Sequence, residues 1–211
     1  MNNRPKKPWL YLITDRKAGE PRDLMDLIEA AAQAGVDMIQ IREKDLSARA
    51  VCQWVERAVE VVKPYGTRIL VNDRFDIALA GGAQGVHLTT QSLPPEVVRA
   101  QVGHQLIIGV STHSLEEARR AEEGAADFIV CGPVFDTPSK RAYGPPLGLE
   151  ALADMVKEVQ IPVLGIGGID LTNFPQVLAC GASGIAAIRL FIESPSLQDV
   201  VQQMKEKSYQ A

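Results

Sequence analysis

Gln40, Arg42 and Lys44 occupy alternate positions in the stretch Ile39-Gln40-Ile41-Arg42-Glu43-Lys44. The apolar, β-branched run around them reads as a buried strand over Val36–Arg42, and side chains alternate from face to face along a strand. Gln40, Arg42 and Lys44 are then expected on one side, with Ile39 and Ile41 on the other. An amide and two fixed cations at a strand terminus suit a polyanion such as a phosphate or diphosphate. A lone Arg-x-Lys is better explained as a solvated strand end. Further polar strand ends in the same chain change that balance.

Val71-Asn72-Asp73-Arg74 offers a carboxylate, Asp73, suited to Mg²⁺, an ion that takes one or two carboxylates and completes its shell with substrate oxygens. On its own the segment equally suits an Asn-Asp turn capping the next helix. Val86-His87-Leu88 puts His87 at a strand end, in the core or in a pocket. Gly109-Val110-Ser111-Thr112-His113-Ser114 supplies hydroxyls, of which Ser114 suits a helix cap. The same segment holds His113, a lone imidazole in a polar loop and the best candidate general base. His104 falls in a helix-to-strand turn, on the opposite face. In Phe135-Asp136-Thr137-Pro138-Ser139-Lys140-Arg141, the Thr137 and Ser139 hydroxyls with Lys140 suit phosphate oxygens, against the plainer alternative of a charged surface turn. Gly165-Ile166-Gly167-Gly168 lets backbone N–H groups approach an anion ahead of a helix start. The Rossmann fingerprint is excluded there, because Asp170 stands where its third glycine belongs.

Short apolar runs alternate with helical patterns from end to end. Strands are expected at Trp9–Thr14, Val36–Arg42, Arg68–Asn72, Gly85–Leu88, Leu106–Ser111, Ala126–Cys131, Pro162–Ile166 and Gly184–Ile188. Helices are expected near Asp23–Ala34, Ala48–Val62, Arg74–Ala80, Pro95–Gln101, Leu115–Glu123, Leu149–Glu158, Leu171–Ala179 and Leu197–Lys207. Ser114-Leu115-Glu116-Glu117 fits a capping box, and Pro94-Pro95-Glu96 suits a first helical turn. Gly35, Gly66, Gly82, Gly103, Gly124 and Gly181 stand where glycine stops belong, between a helix and the next strand. Near-continuous apolar strands alternating with helices indicate a parallel sheet covered by helices. A single (β/α)₈ barrel spanning residues 1–211 is preferred over a doubly wound open sheet, because polar residues end nearly every strand rather than those flanking one switch point. All these strand ends then converge on one mouth, with 132–148 as a loop above it.

The 211 residues, 46% hydrophobic and 23% charged, suit a globular chain of ordinary composition. A formal net charge of −4 gives no reason to expect nucleic acid or an anionic membrane as partner. Cys52, Cys131 and Cys180 are far apart and read as ordinary thiols in a reducing compartment. No apolar core follows the basic N-terminus and no run approaches membrane-spanning length, so a cytoplasmic location is expected. Whether the chain forms a homo-oligomer is open at this stage.

These segments, with Leu10-Tyr11-Leu12-Ile13-Thr14-Asp15-Arg16 before them, resemble in order and spacing the thiamine-phosphate synthase family and its TenI-type relatives. The resemblance covers nearly the whole chain. It implies a transferase that joins hydroxymethylpyrimidine diphosphate to a phosphoethyl-thiazole, giving thiamine phosphate and diphosphate, with Mg²⁺ as cofactor. By the same resemblance Arg42, Lys44, Asn72 and Lys140 hold the diphosphate, and Asp73 ligates Mg²⁺. Gln40 and His87 lie against the pyrimidine, and Ser111 sits near the pyrimidine and diphosphate. Thr137 and Ser139 contact phosphate oxygens, while Gly168 and the backbone near Ile188 receive the thiazole phosphate. Lys44, Lys140 and Ser111 are the implied catalytic residues. Two positions depart from the family pattern: Ser92 stands where a second Mg²⁺-binding Asp is usual, and Arg189 where Ser is usual. The departures leave two alternatives, a TenI-type thiazole tautomerase using His113 as base, and a silent thiamine-phosphate binder. The retained cations favour the synthase.

Overall fold

A computed structural model describes residues 7–18, 23–138, 141 and 144–208. Eight strands, β1 (Trp9–Ile13), β2 (Met38–Ile41), β3 (Arg68–Asn72), β4 (Gly85–Leu88), β5 (Ile107–Thr112), β6 (Phe128–Cys131), β7 (Val163–Ile166) and β8 (Gly184–Ala187), pair in sequence order. All pairs are parallel, and β8 returns to β1 to close the barrel. The helices are α1 (Leu24–Ala34), α2 (Ala48–Val62), α3 (Phe75–Ala80), α4 (Pro95–Val102), α5 (Leu115–Glu123), α6 (Gly148–Glu158), α7 (Phe174–Ala179), α8 (Arg189–Ile192) and α9 (Leu197–Ser208). The expected (β/α)₈ barrel is the fold observed.

Alternation sorts the strand residues into two cores. Leu12, Ile39, Ile41, Val71, Val86, Ile108 and Ile129 face the helices in the larger cluster. Tyr11, Ile13, Met38, Leu70, Phe128, Val130, Leu164 and Ala186 fill the barrel itself. The inner residues stack by register: Asn72 pairs with His87, His87 with Gly109, and Gly109 with Phe128. Gly109 is required in that row, because a Cβ there would lie 2.3 Å from Phe128 Cζ. Its missing side chain is the room that the neighbouring rings occupy.

The expected boundaries shift where side chains or helix ends claim the backbone first. β2 starts at Met38 rather than Val36, because the N–H groups of Gly35 and Val36 donate to Ala32 O and Ala31 O as α1 terminates. α7 starts at Phe174 rather than Leu171, since the Asp170 carboxylate accepts from the N–H groups of Thr172 and Asn173, at 2.7 and 3.0 Å. The one-turn α8 had no expected counterpart, because four residues are too few to show a period. At the end of α5 the left-handed residue is Ala125 (φ 60°) and not Gly124 (φ −76°). Gly124 is instead demanded by a close approach, a Cβ there lying 2.6 Å from Pro95 Cγ. The capping box is also incomplete. Ser114 Oγ accepts from Glu117 N at 3.1 Å, but Glu117 reaches back to the N–H of His113, at 2.6 Å, rather than to that of Ser114. Among the described residues no helix is long and apolar enough to cross a membrane.

Candidate active site

The floor of the barrel mouth is aromatic. Tyr11 and His87 have ring centroids 5.7 Å apart, Tyr11 and Phe128 5.8 Å, and His87 and Phe128 6.1 Å. His87 is 2% exposed, and its Nε2 lies 2.9 Å from Ser111 Oγ. Burial first, and the Arg42 charge second, push the His87 pKa down to about 3, so the ring is neutral. The Arg42 charge is thus felt at His87, a ring that stays neutral. Phe128 and Tyr11 carry no obvious sequence signal of function; their inward period on β6 and β1 was the only available clue.

Four buried polar atoms within the mouth have no hydrogen-bond partner among the described residues: Tyr11 Oη, Gln40 Nε2, Asn72 Oδ1 and His87 Nδ1. Buried polar groups are almost always paired in native proteins, so each such atom calls for an account. Gln40, 1% exposed, presents a donor from β2, and Asn72 presents an acceptor from the adjacent β3. A planar heterocycle with both acceptor and donor edges would satisfy the two together.

Beyond β2 the chain is locked to β1 by contacts that sequence reasoning missed. Thr14, fully buried, donates from Oγ1 to Glu43 Oε1 at 2.8 Å and accepts from Arg42 N at 2.9 Å. Glu43, 6% exposed, also accepts from Arg16 N at 3.3 Å, with Arg16 Nε 3.7 Å from Oε2. Burial raises the Glu43 pKa, offset in part by the Thr14 and Arg16 hydrogen bonds. Arg16 continues to Asp45 at 2.5 Å, and Lys17 to the same carboxylate at 2.8 Å. This clasp fixes the backbone that carries Arg42 and Lys44. The available signal was Glu43 itself, an acid between two cations whose side chain falls on the opposite side of the strand. β2 ends at Ile41, so the alternation expected to include Lys44 stops short of it. Lys44 lies in the exposed turn that follows.

Asp73 sits after β3 with φ 66°, a left-handed conformation that Asp tolerates better than most residues. Its N–H donates to His87 O at 2.9 Å, and its carboxylate makes no hydrogen bond or ion pair among the described residues. Such a carboxylate suits one edge of a Mg²⁺ shell completed by phosphate oxygens and water. A preformed cage is not present, since no group of three or more His, Cys, Asp or Glu side chains converges among the described residues. Ser92 is turned to other use, its Oγ accepting from Thr89 N at 2.8 Å.

The long loop after β6 docks on the glycine turn after β7. Val134 N donates to Ile166 O at 2.8 Å, and Phe135 N to Gly167 O at 3.0 Å. Gly167 (φ 97°) and Gly168 (φ 64°) are left-handed, and a Cβ on Gly168 would lie 2.5 Å from Asp136 O. The glycines are therefore demanded by loop packing, whatever else they bind. Thr137 follows on the docked segment and is half-buried, while Ser139 and Lys140 lie outside the described residues. Ile188, half-buried, caps α8, accepting from Phe191 N and Ile192 N at 3.2 and 3.0 Å. Arg189 points outward, its Nε 3.5 Å from Glu193 Oε1. His113 is exposed, with Nδ1 3.1 Å from Glu117 Oε2. His104 is exposed at the opposite end of β5, as expected. Cys131 is buried, its thiol pushed up to about 12 and thus unreactive. A recess of about 530 Å³ lies beside the mouth, between the loop after β4 and α5, bordered by Leu88, Ser92, Leu93, Ser111 and Arg120.

Comparison with known proteins identifies the family. A sequence profile described as thiamine monophosphate synthase matches residues 10–191. The thiamine-phosphate synthase of Roseiflexus sp. is 42% identical over 186 residues, which cover 88% of this chain and 79% of that one. The thiamine-phosphate synthase of Chlorobium phaeovibrioides is 40% identical over 206 residues, covering 96% and 97%. Among solved structures, thiamine phosphate pyrophosphorylase from Pyrococcus furiosus superposes with a TM-score of 0.86 at 33% identity, covering 96% of each chain. Profile, relatives and fold converge, and the chain belongs to the thiamine monophosphate synthase family.

Proposed function

We propose that the protein is a thiamine-phosphate synthase, transferring the pyrimidine-methyl group of hydroxymethylpyrimidine diphosphate to the nitrogen of the phosphoethyl-thiazole. The observation that carries this reading is the buried, unpaired Gln40 Nε2 donor and Asn72 Oδ1 acceptor on the neighbouring strands β2 and β3, with the Arg42 charge felt at His87 on β4. An aminopyrimidine offers ring nitrogens to the first and an amino group to the second. Its diphosphate then extends toward Arg42, Lys44 and the amide nitrogen of Asn72, and the family resemblance adds Thr137, Ser139 and Lys140 as phosphate contacts. The reaction breaks the bond between the methylene carbon and the diphosphate oxygen, and the electron pair leaves with diphosphate. The aminopyrimidine ring shares the resulting positive charge until the thiazole nitrogen donates its lone pair to the carbon. Catalysis of this kind is positioning plus stabilisation of charge on the leaving group.

Asp73 would hold Mg²⁺, which neutralises diphosphate charge when bound, and the lone protein carboxylate is consistent with an ion shared with substrate. The Gly167-Gly168 turn after β7 and the backbone at Ile188 after β8 would receive the thiazole phosphate, as the family resemblance implies. Small phosphorylated substrates agree with a cytoplasmic setting. Isothermal calorimetry with hydroxymethylpyrimidine diphosphate and with inorganic diphosphate, both with Mg²⁺, tests the assignment. The pyrimidine compound should bind at least about tenfold more tightly, the scale of one well-made hydrogen bond, and Gln40→Leu should erase that margin. Equal affinities in the wild type would remove the pyrimidine from the floor.

A further inference from the structure

The two nitrogens of His87 have opposite surroundings. Nε2 lies 2.9 Å from Ser111 Oγ. Nδ1 is sealed without a partner, against the bare α-carbon of Gly109, where a Cβ would come within 2.9 Å of it. The rings of Tyr11 and Phe128 pack around it, with centroids 5.7 and 6.1 Å from that of His87. A neutral imidazole here has two tautomers. A proton on Nδ1 buries an N–H with no acceptor, whereas a proton on Nε2 leaves there only a lone pair, which buried interiors tolerate better. The cost of an orphaned donor favours the Nε2–H tautomer by about tenfold or more.

A serine hydroxyl has one proton to give. With Nε2–H donating to it, Ser111 Oγ keeps its own O–H free. In the other tautomer that O–H would be spent on the ring, leaving only lone pairs to face an anion. We propose that His87 is a positioning residue for Ser111: its Nε2–H donates to Ser111 Oγ and so directs the Ser111 O–H to the diphosphate oxygen on which charge collects as the bond to carbon breaks. Ser111 retains its proton throughout. The hydrogen bond strengthens as the leaving oxygen gains charge, so the pair acts on kcat more than on KM. The proposal rests on the synthase assignment for the identity of the anion.

Two measurements test it. Nitrogen-15 NMR of histidine-labelled wild-type protein, with His104→Asn and His113→Asn to assign the remaining signals, should show His87 in the Nε2–H form without any substrate. The Nδ1–H form would overturn the proposal. His87→Phe, which keeps an aromatic ring among Tyr11 and Phe128, should lower kcat about tenfold to a hundredfold, with KM for the pyrimidine diphosphate within about twofold. In a Ser111→Ala background the same change should cost nothing more, because coupled partners are not additive. Penalties that simply multiply would make His87 a direct substrate contact and defeat the proposal. If His87→Phe fails to fold, the tautomer in the wild type still decides. A wild type that releases no diphosphate would overturn the synthase assignment instead, since the tautomer is read without it.

Discussion

Replacing Thr14 by Val tests the clasp that carries the cationic strand end. The two side chains have nearly the same shape, so the change removes a hydroxyl and little else. Thr14 is fully buried, and its Oγ1 serves two partners: it donates to Glu43 and accepts from Arg42 N. Stranding the Arg42 N–H costs about 1–3 kcal/mol, and Glu43, which keeps its 3.3 Å bond from Arg16 N, loses its shortest bond for about 1 kcal/mol more, so a total near 3 kcal/mol is expected. For a domain of this size that corresponds to a fall in Tm of roughly 6–12 °C. Denaturant unfolding should show a lower midpoint with an unchanged slope, and turnover should fall too, because Arg42 loses its backbone tether. Thr14→Val combined with Glu43→Leu should lose less stability than the two single changes added together, since the Thr14–Glu43 bond is lost once in the double change and counted twice in the sum. Stability of Thr14→Val within about 0.5 kcal/mol of wild type, the range of an unremarkable surface change, would show that the clasp is not what holds this strand end.

Further outcomes follow from other parts of the mouth. His87 is neutral in the fold to about pH 3 but titrates near 6.5 when unfolded, so its contribution to stability is complete above 6.5 and is lost as pH falls toward 3. His87→Phe should therefore flatten the acid side of the stability profile by at most about 1.4 kcal/mol per pH unit, measured by denaturant titration, and an unchanged slope would contradict a buried neutral ring. Gly168→Ala should destabilise the loop docked on β7 and raise KM for the thiazole phosphate, because the left-handed φ of 64° and the Asp136 carbonyl leave no room for a Cβ. Wild-type stability and KM in that variant would mean that the turn yields freely. Lys44→Ala and Lys140→Ala should each lower turnover by about a hundredfold or more, the scale of one transition-state contact, and wild-type rates would remove them from the diphosphate grip. Ser92→Asp should lower the Mg²⁺ concentration for half-maximal rate only if the new carboxylate leaves the Thr89 turn, so an unchanged requirement would place position 92 away from the metal.

The barrel was legible because each strand is a short apolar run bounded by helix stops, and four residues of such pattern suffice to locate a buried strand. Arg68–Asn72 and Gly85–Leu88 fall where the pattern put them. Boundaries moved at Val36 and Leu171, where a helix end or an Asp side chain claims the backbone N–H groups, competition that periodicity does not encode. The polar strand ends were legible as a set, since a closed barrel must bring them to one mouth. Their division of labour was not. His87 was expected against a pyrimidine; that its Nε2 meets Ser111 while its Nδ1 lies against the empty position at Gly109 one strand away was not legible, because it depends on register. Glu43 stands out in sequence as an acid between two cations, but its partner Thr14 does not, because only register sets the two 2.8 Å apart.

A synthase joins two phosphorylated substrates at this mouth and expels diphosphate. Purified protein should be given hydroxymethylpyrimidine diphosphate, the phosphoethyl-thiazole, the thiazole carboxylate phosphate and Mg²⁺ in one vessel, with products followed by mass spectrometry. Thiamine phosphate and diphosphate should appear together in equal amounts, and His113→Ala should slow them less than Lys140→Ala does. Aromatised thiazole phosphate formed in a His113-dependent way, with no diphosphate released, would contradict the account and make the protein a tautomerase.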